Sequence, residues 1–177
     1  MSARLPDPRS SPIIADMRSL PLLMIALLAA CSGSPANVAG NYTVTVTSHD
    51  NGCNFNGWTV NSTSDPLAVT ITQKDASATA SVNNPTGAFL DLWLGDHNFT
   101  GTVDGDFVHL TLFGTRSQTS GNCTYTYNAE LNATVTGNAI MGTLDYVSKT
   151  NGNPDCTSMG ITGCKSEQAL SGSRPAQ

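Results

Sequence analysis

The chain is poor in charge. Only 12% of its 177 residues are Asp, Glu, Lys or Arg, and 8 basic residues stand against 13 acidic ones. A net charge of −5 with no basic patch excludes a nucleic-acid binder, which needs a positive face. There is no Cys-x-x-Cys pair, and zinc sites require closely spaced Cys and His ligands. No Gly-x-Ser-x-Gly elbow and no Gly-rich phosphate loop occur. No amphipathic helix of useful length is visible. A single long apolar run, residues 20–30, falls short of the roughly 20 apolar residues that span a bilayer. These absences argue against an enzyme, and no metal or cofactor is expected.

What is present is Thr, Asn, Ser and Gly in a two-residue rhythm. Thr suits strands, while Asn and Gly suit their turns. Residues 41–47 alternate cleanly, with Tyr42, Val44 and Val46 on one face. Residues 67–82 read as a hairpin turning at Lys74-Asp75, which pairs Ile71 with Ala78 and Val69 with Ala80. Residues 97–113 read as a second, turning at Asp104-Gly105 and pairing Phe99 with Leu110. Residues 123–147 read as a third, turning at Gly137-Asn138 and pairing Leu131 with Leu144 and Ala129 with Tyr146. Ala88 to Leu94 adds a strand, and Lys165 to Ser171 a last one able to pair with the first. About eight strands, each beside its sequence neighbour, define an all-β, antiparallel up-and-down barrel, with an open β-sandwich as the alternative.

Five Asn-x-Ser/Thr sequons, beginning at Asn41, Asn61, Asn98, Asn122 and Asn132, are what an Asn/Thr-rich chain produces by chance. Cys53, Cys123, Cys156 and Cys164 are expected to pair in an oxidising compartment. Four cysteines allow three connectivities. The short loop favours Cys156–Cys164, leaving Cys53–Cys123.

The chemistry-bearing side chains are few. On this register His109 lies on the Thr face and His97 on the face of Phe99, so the two cannot chelate one ion. Glu130 falls opposite Asp145, and two carboxylates fall well short of a calcium shell. They read as a solvated surface pair, eased by a nearby Lys. The aromatics are the best candidates for a site. In Phe89-Leu90-Asp91-Leu92-Trp93-Leu94 both faces are apolar. Either the leucines fill the interior and Phe89 and Trp93 need a cover, such as the loop with Cys53 and Trp58, or Phe89, Asp91 and Trp93 line a cup. Tyr125 and Tyr127 continue the inner parity of the third hairpin. Trp58, Phe89, Asp91, Trp93, Tyr125 and Tyr127 are therefore the candidate ligand-binding residues, because an eight-stranded barrel is just wide enough to be filled or to hold one small ligand.

The N-terminus adds an address. Arg18, the apolar run and Ala29-Ala30 have the order of a secretory signal. Leu28-Ala29-Ala30-Cys31 resembles the bacterial lipobox. That resemblance implies cleavage before Cys31, acylation of its thiol and anchoring in the cell envelope. Ser32, where Asp would favour the inner membrane, implies the outer membrane. The expected organisation is a signal peptide over residues 1–30 (with Met17 the better start), a lipidated tether over 31–39, one barrel domain over 40–173 and a tail over 174–177. The barrel resembles lipocalins and avidins in its strand order, short turns and late closing strand, although Gly40-Asn41-Tyr42 stands where lipocalins carry Gly-x-Trp. The whole chain is similar to small Asn/Thr-rich envelope lipoproteins. The expected function is a non-enzymatic, membrane-anchored barrel that binds a small apolar ligand or an envelope partner. A filled structural or adhesion module and, less favoured, an envelope hydrolase are the alternatives.

Overall fold

A computed structural model of the protein describes residues 34–176. The signal peptide and the lipidated Cys31 expected from the sequence lie outside these residues. The described chain runs β1 (Gly40–Asn51), β2 (Leu67–Lys74), β3 (Ser77–Val82), α1 (Thr86–Trp93), β4 (Asn98–Asp104), β5 (Phe107–Leu112), β6 (Gln118–Ser120), β7 (Cys123–Thr136), β8 (Ala139–Thr150), α2 (Pro154–Ser158) and β9 (Lys165–Ser173). Successive strands pair antiparallel, β5 pairs β7, and β9 returns to pair β1. The result is a closed eight-stranded antiparallel barrel, not an open sandwich. The short β6 is extra and sits beside the first residues of β7.

The alternation of β1 holds, with Tyr42 and Val44 buried and Asn41 and Thr43 exposed. Across the interior, small residues meet large ones: Ala80 lies between Ile71 and Phe99, and Ala133 faces Val108. That pattern fills a narrow, tapered barrel.

The third hairpin has the expected register, with Leu131 opposite Leu144 and Ala129 opposite Tyr146. The first two are shifted. Ile71 pairs with Ala80 rather than Ala78, and Phe99 with Ala80 on one side while Gly101, not Phe99, faces Leu110. Their turns fall one residue later, at Asp75-Ala76 and Gly105-Asp106. In all three hairpins the first turn residue has positive φ: Asp75 at 54°, Gly105 at 57° and Gly137 at 60°. One turn geometry, with its left-handed residue first, thus recurs and draws Gly105 to the leading place. A two-residue change of partner keeps every side chain on its face, so the apolar interior survives.

Residues 88–94 are not a strand. Residues 88–93 form most of α1, and Leu90 and the C-cap residue Leu94 pack inward at a spacing of four. An apolar run of this length is ambiguous by periodicity alone. Its lack of Val, Ile and Thr favours the helix. Gly95, at φ 95°, ends it by donating its N–H to the Leu90 carbonyl.

The disulfides are Cys53–Cys164 and Cys123–Cys156, not Cys156–Cys164 and Cys53–Cys123. The β1–β9 ladder explains the first. Asn51 pairs with Ser166, and continuing outward by two residues on each strand meets Cys53 and Cys164. Cys156 sits in α2, which folds back over the start of β7, where Asp155 accepts from the backbone and side-chain N–H groups of Asn122.

The barrel has two unlike ends. The three short turns share one end, the floor. The four long connections share the other, the mouth. The floor is plugged by Ala36 to Val38, with Val38 fully buried. Ala36 donates to the Gly105 carbonyl, Val38 donates to Gln73, and Gln73 donates to the Ala36 carbonyl. The last residues of the expected tether are therefore docked. Arg174 closes the floor by donating to the carbonyls of Asn37 (2.8 Å), Gly137 (3.3 Å) and Ala39, with its guanidinium carbon 5.5 Å from the Tyr42 ring centre. Hydrogen bonds to a charged group contribute about 1.5–3 kcal/mol.

Candidate functional site

Within the barrel lies a chamber of about 230 Å³. Val44, Val69, Ile71, Leu131 and Leu144 are among its walls, and Leu90 and Phe89 of α1 reach it from the mouth. Above it opens a cleft of about 660 Å³ between the mouth loops. Phe89, Tyr146 and Gln168 line both spaces and so form the neck between them. Among the described residues, no Asp, Glu, Lys, Arg or His lines either space.

The cleft is walled by rings. Trp93 lies 5.2 Å from Tyr146 and 6.2 Å from both Phe89 and Tyr127, and Tyr125 lies 5.6 Å from Tyr127. Phe55 sits in their midst, 4.9 Å from Tyr127 and 5.2 Å from Trp93, edge to face with each. Such pairs add about 0.5–1.5 kcal/mol each beyond the area they bury. The rings of the mouth thus form one connected wall. Trp58 completes it, 5.8 Å from Phe55 and 6.1 Å from Tyr146.

Local chemistry sets these rings in place. The Asn51 side chain accepts from the Phe55 N–H and donates to the Phe55 carbonyl, at 2.8 and 3.0 Å. This side-chain clamp shapes the turn as Asn side chains commonly do. Trp58 donates its indole N–H to the His49 carbonyl at 3.0 Å. The helix places Phe89 and Trp93 four residues apart on its cleft side. The two disulfides hold the loop carrying Phe55 and Trp58 to the β8–β9 connection, and α2 to β7.

Of the six residues chosen from sequence, Trp58, Phe89, Trp93, Tyr125 and Tyr127 converge on the cleft. Asp91 does not. The helix turns it away, and its carboxylate lies 2.7 Å from Nδ1 of His97. Sequence reasoning did not assign Phe55, Tyr146 or Gln168 to the site. Tyr146 had the inward parity that marks it, and Gln168 the corresponding place on the closing strand. Phe55 had only its setting, an aromatic amid Asn and Gly.

A polar chain crosses the neck. The Tyr146 hydroxyl pairs with Gln168 Oε1 at 3.2 Å, and Gln168 Nε2 donates to Ser48 Oγ at 3.2 Å. Burial pushes the Tyr146 phenol far above the ordinary tyrosine value. Burial also raises Tyr127, helped by the neighbouring Tyr125, and raises Tyr42 against the opposing pull of Arg174.

The remaining titratable groups lie elsewhere. Asp91, Asp96 and His97 bring their ligand-type atoms within 4.8 Å of one another. Burial pushes the Asp96 carboxyl up, but hydrogen bonds from Asn98 and the His97 N–H together hold it below the usual range. His109 pairs with Asn132 at 2.7 Å. Glu130 does lie opposite Asp145, and Lys165 bridges Asp145 and Glu167 at 3.2 and 2.9 Å. The Glu167 bond leads in raising the Lys165 ammonium.

Fold and site together define a class: a closed eight-stranded antiparallel barrel with a plugged floor, an apolar chamber and an aromatic mouth, consistent with the architecture of lipocalin- and avidin-like barrels. No protein-family model, no curated protein and no solved structure matches the chain.

Proposed function

We propose that the protein is a non-enzymatic lipoprotein of the bacterial cell envelope, held in the outer membrane by lipid on Cys31, whose barrel takes up a small apolar ligand. The observation that carries the ligand reading is the chamber of about 230 Å³, walled by aliphatic side chains and reached through a cleft of rings. Ligand sites are concave and mostly apolar, with a few placed polar groups, though most are somewhat larger than this chamber. That size favours a small ligand or one that extends into the cleft. The lipobox residues Leu28-Ala29-Ala30-Cys31 and the following Ser32 support the anchor.

The test is titration of the purified protein with N-phenyl-1-naphthylamine, an apolar dye whose emission rises on leaving water. We expect saturation near one equivalent, and native mass spectrometry after gentle extraction is expected to find a small molecule carried by the protein. Absence of both would leave a barrel that only makes contacts. One feature favours a partner as a second reading. Phe89 (61% exposed), Leu92 (74%) and Phe113 (66%) present apolar surface at the mouth end. Protein contact surfaces do the same.

A further inference from the structure

The two spaces that make up the site share a property that a general apolar pocket does not need: among the described residues, neither has a charged or imidazole side chain in its wall. A carboxylate or an ammonium entering the neck would lose its water and meet no counter-ion, which is the costliest form of desolvation. The Tyr146 and Tyr127 phenols are protonated at neutral pH, as tyrosines ordinarily are, and burial raises them further, so the neck and the cleft wall beside it supply no anion.

Yet the neck is not apolar. Ser48, Gln168 and Tyr146 form a hydrogen-bonded row across it, with Ser48 and Tyr146 only 7% exposed. A primary amide offers two N–H donors and two acceptor lone pairs. The bonds to Ser48 and Tyr146 use one of each, so Gln168 has a donor and an acceptor position left for a visitor. Above the neck, Asn54, Asn56 and Gln118 add further neutral amides beside the ring faces. Uncharged donors and acceptors in a low-dielectric setting suit an uncharged polar group.

We infer that the ligand is a neutral amphiphile, with its alkyl part in the chamber and a hydroxyl or amide group bonded at the Ser48–Gln168–Tyr146 neck. This rests on the ligand-binding reading above and narrows it by excluding fatty acids and organic cations as the main cargo. Gln168 is the specificity-determining residue, because it alone joins the other two.

The experiment compares three probes with the same chain and different heads: 1-octanol, octanoate and octylammonium. Each is titrated at neutral pH into the purified full-length protein, by displacement of N-phenyl-1-naphthylamine and by the fluorescence of Trp58 and Trp93, which both line the cleft. The alcohol is expected to bind at least tenfold tighter than either ion. Equal or tighter binding of octanoate or octylammonium overturns the inference and leaves the ligand reading standing. Failure of the dye and of all three probes overturns both. The Gln168→Lys variant is expected to reverse the order in favour of octanoate. An unchanged tenfold preference for the alcohol in a variant with native circular dichroism would remove Gln168 from the neck's role. Should that variant not fold, the wild-type order decides the inference alone.

Discussion

A phenol buried at the neck of a barrel resists losing its proton, because the anion would stand among rings with little water to solvate it. Tyr146 is in that position, and its folded-state pKa lies well above the unfolded one. Its contribution to stability is therefore complete below the unfolded value, near 10, and is lost as the pH rises from there towards the folded value. Each pH unit within that window costs about 1.4 kcal/mol for a single such group. Urea unfolding followed from pH 9 to 11.5 is expected to show a falling midpoint, and Tyr146→Phe to flatten that fall. At neutral pH the same variant, which lacks the bond to Gln168, loses about 1 kcal/mol, the usual worth of one hydrogen bond. An alkaline fall of equal steepness in the variant would mean that Tyr42 and Tyr127, whose phenols are also raised by burial, carry it instead. At this scale the sequence was readable where a side chain sits on a strand, because parity assigns it a face. Tyr127 and Tyr146 are of that kind. Phe55 belongs to a loop, and what points it inward is the Asn51 clamp, a contact with no periodic signature.

At the scale of elements, local rules gave the hairpins and missed what depends on distant neighbours. Turn chemistry and alternation predicted every face of the three hairpins. The register of the first two was displaced because the turn wanted its left-handed residue first, a preference that two-residue motifs such as Asp104-Gly105 leave ambiguous. Helix α1 is not legible in the sequence, because apolar residues fall on most of its sides. Only tertiary packing of Leu90 and Leu94 tells its inner side from its outer one. Loop length alone points to the wrong cysteine pairs, whereas pairing of the last strand with the first directs Cys164 to Cys53. Non-reducing peptide mapping is expected to recover Cys53–Cys164 and Cys123–Cys156, and a Cys156–Cys164 peptide would contradict the arrangement. The Cys53–Cys164 bond joins residues 111 apart in sequence. Closing a loop near that length restricts the unfolded chain by about 4–5 kcal/mol. Replacing both cysteines with Ser is expected to lower stability by up to that amount. It should also weaken dye binding, since the loop it frees carries Phe55 and Trp58.

The described barrel is a vessel with a sealed base and an open rim, and residues 36–38 lie in the base. Val38 is buried there and Ala36 is bonded to the turn at Gly105. On the proposed anchoring, only the short stretch from Cys31 to Ala36 separates lipid from base. Fully extended, so few residues reach no further than about 18 Å. The base is then kept near the lipid headgroups and the rim is directed outward. Both tryptophans belong to the rim. In liposomes containing brominated lipid, their fluorescence is expected to stay within about a tenth of its value in ordinary lipid. Contact quenching of that kind is short-ranged, whereas a strand such as β1 runs for 12 residues, each adding about 3.3 Å of height before tilt. Strong quenching would mean that the rim dips into the bilayer. If the proposed anchor holds, the aperture turns from the membrane that carries it, and such a vessel would not skim cargo from that leaflet. Filling would then come across the aqueous gap, from a donor on the facing surface or from molecules already dissolved between the two.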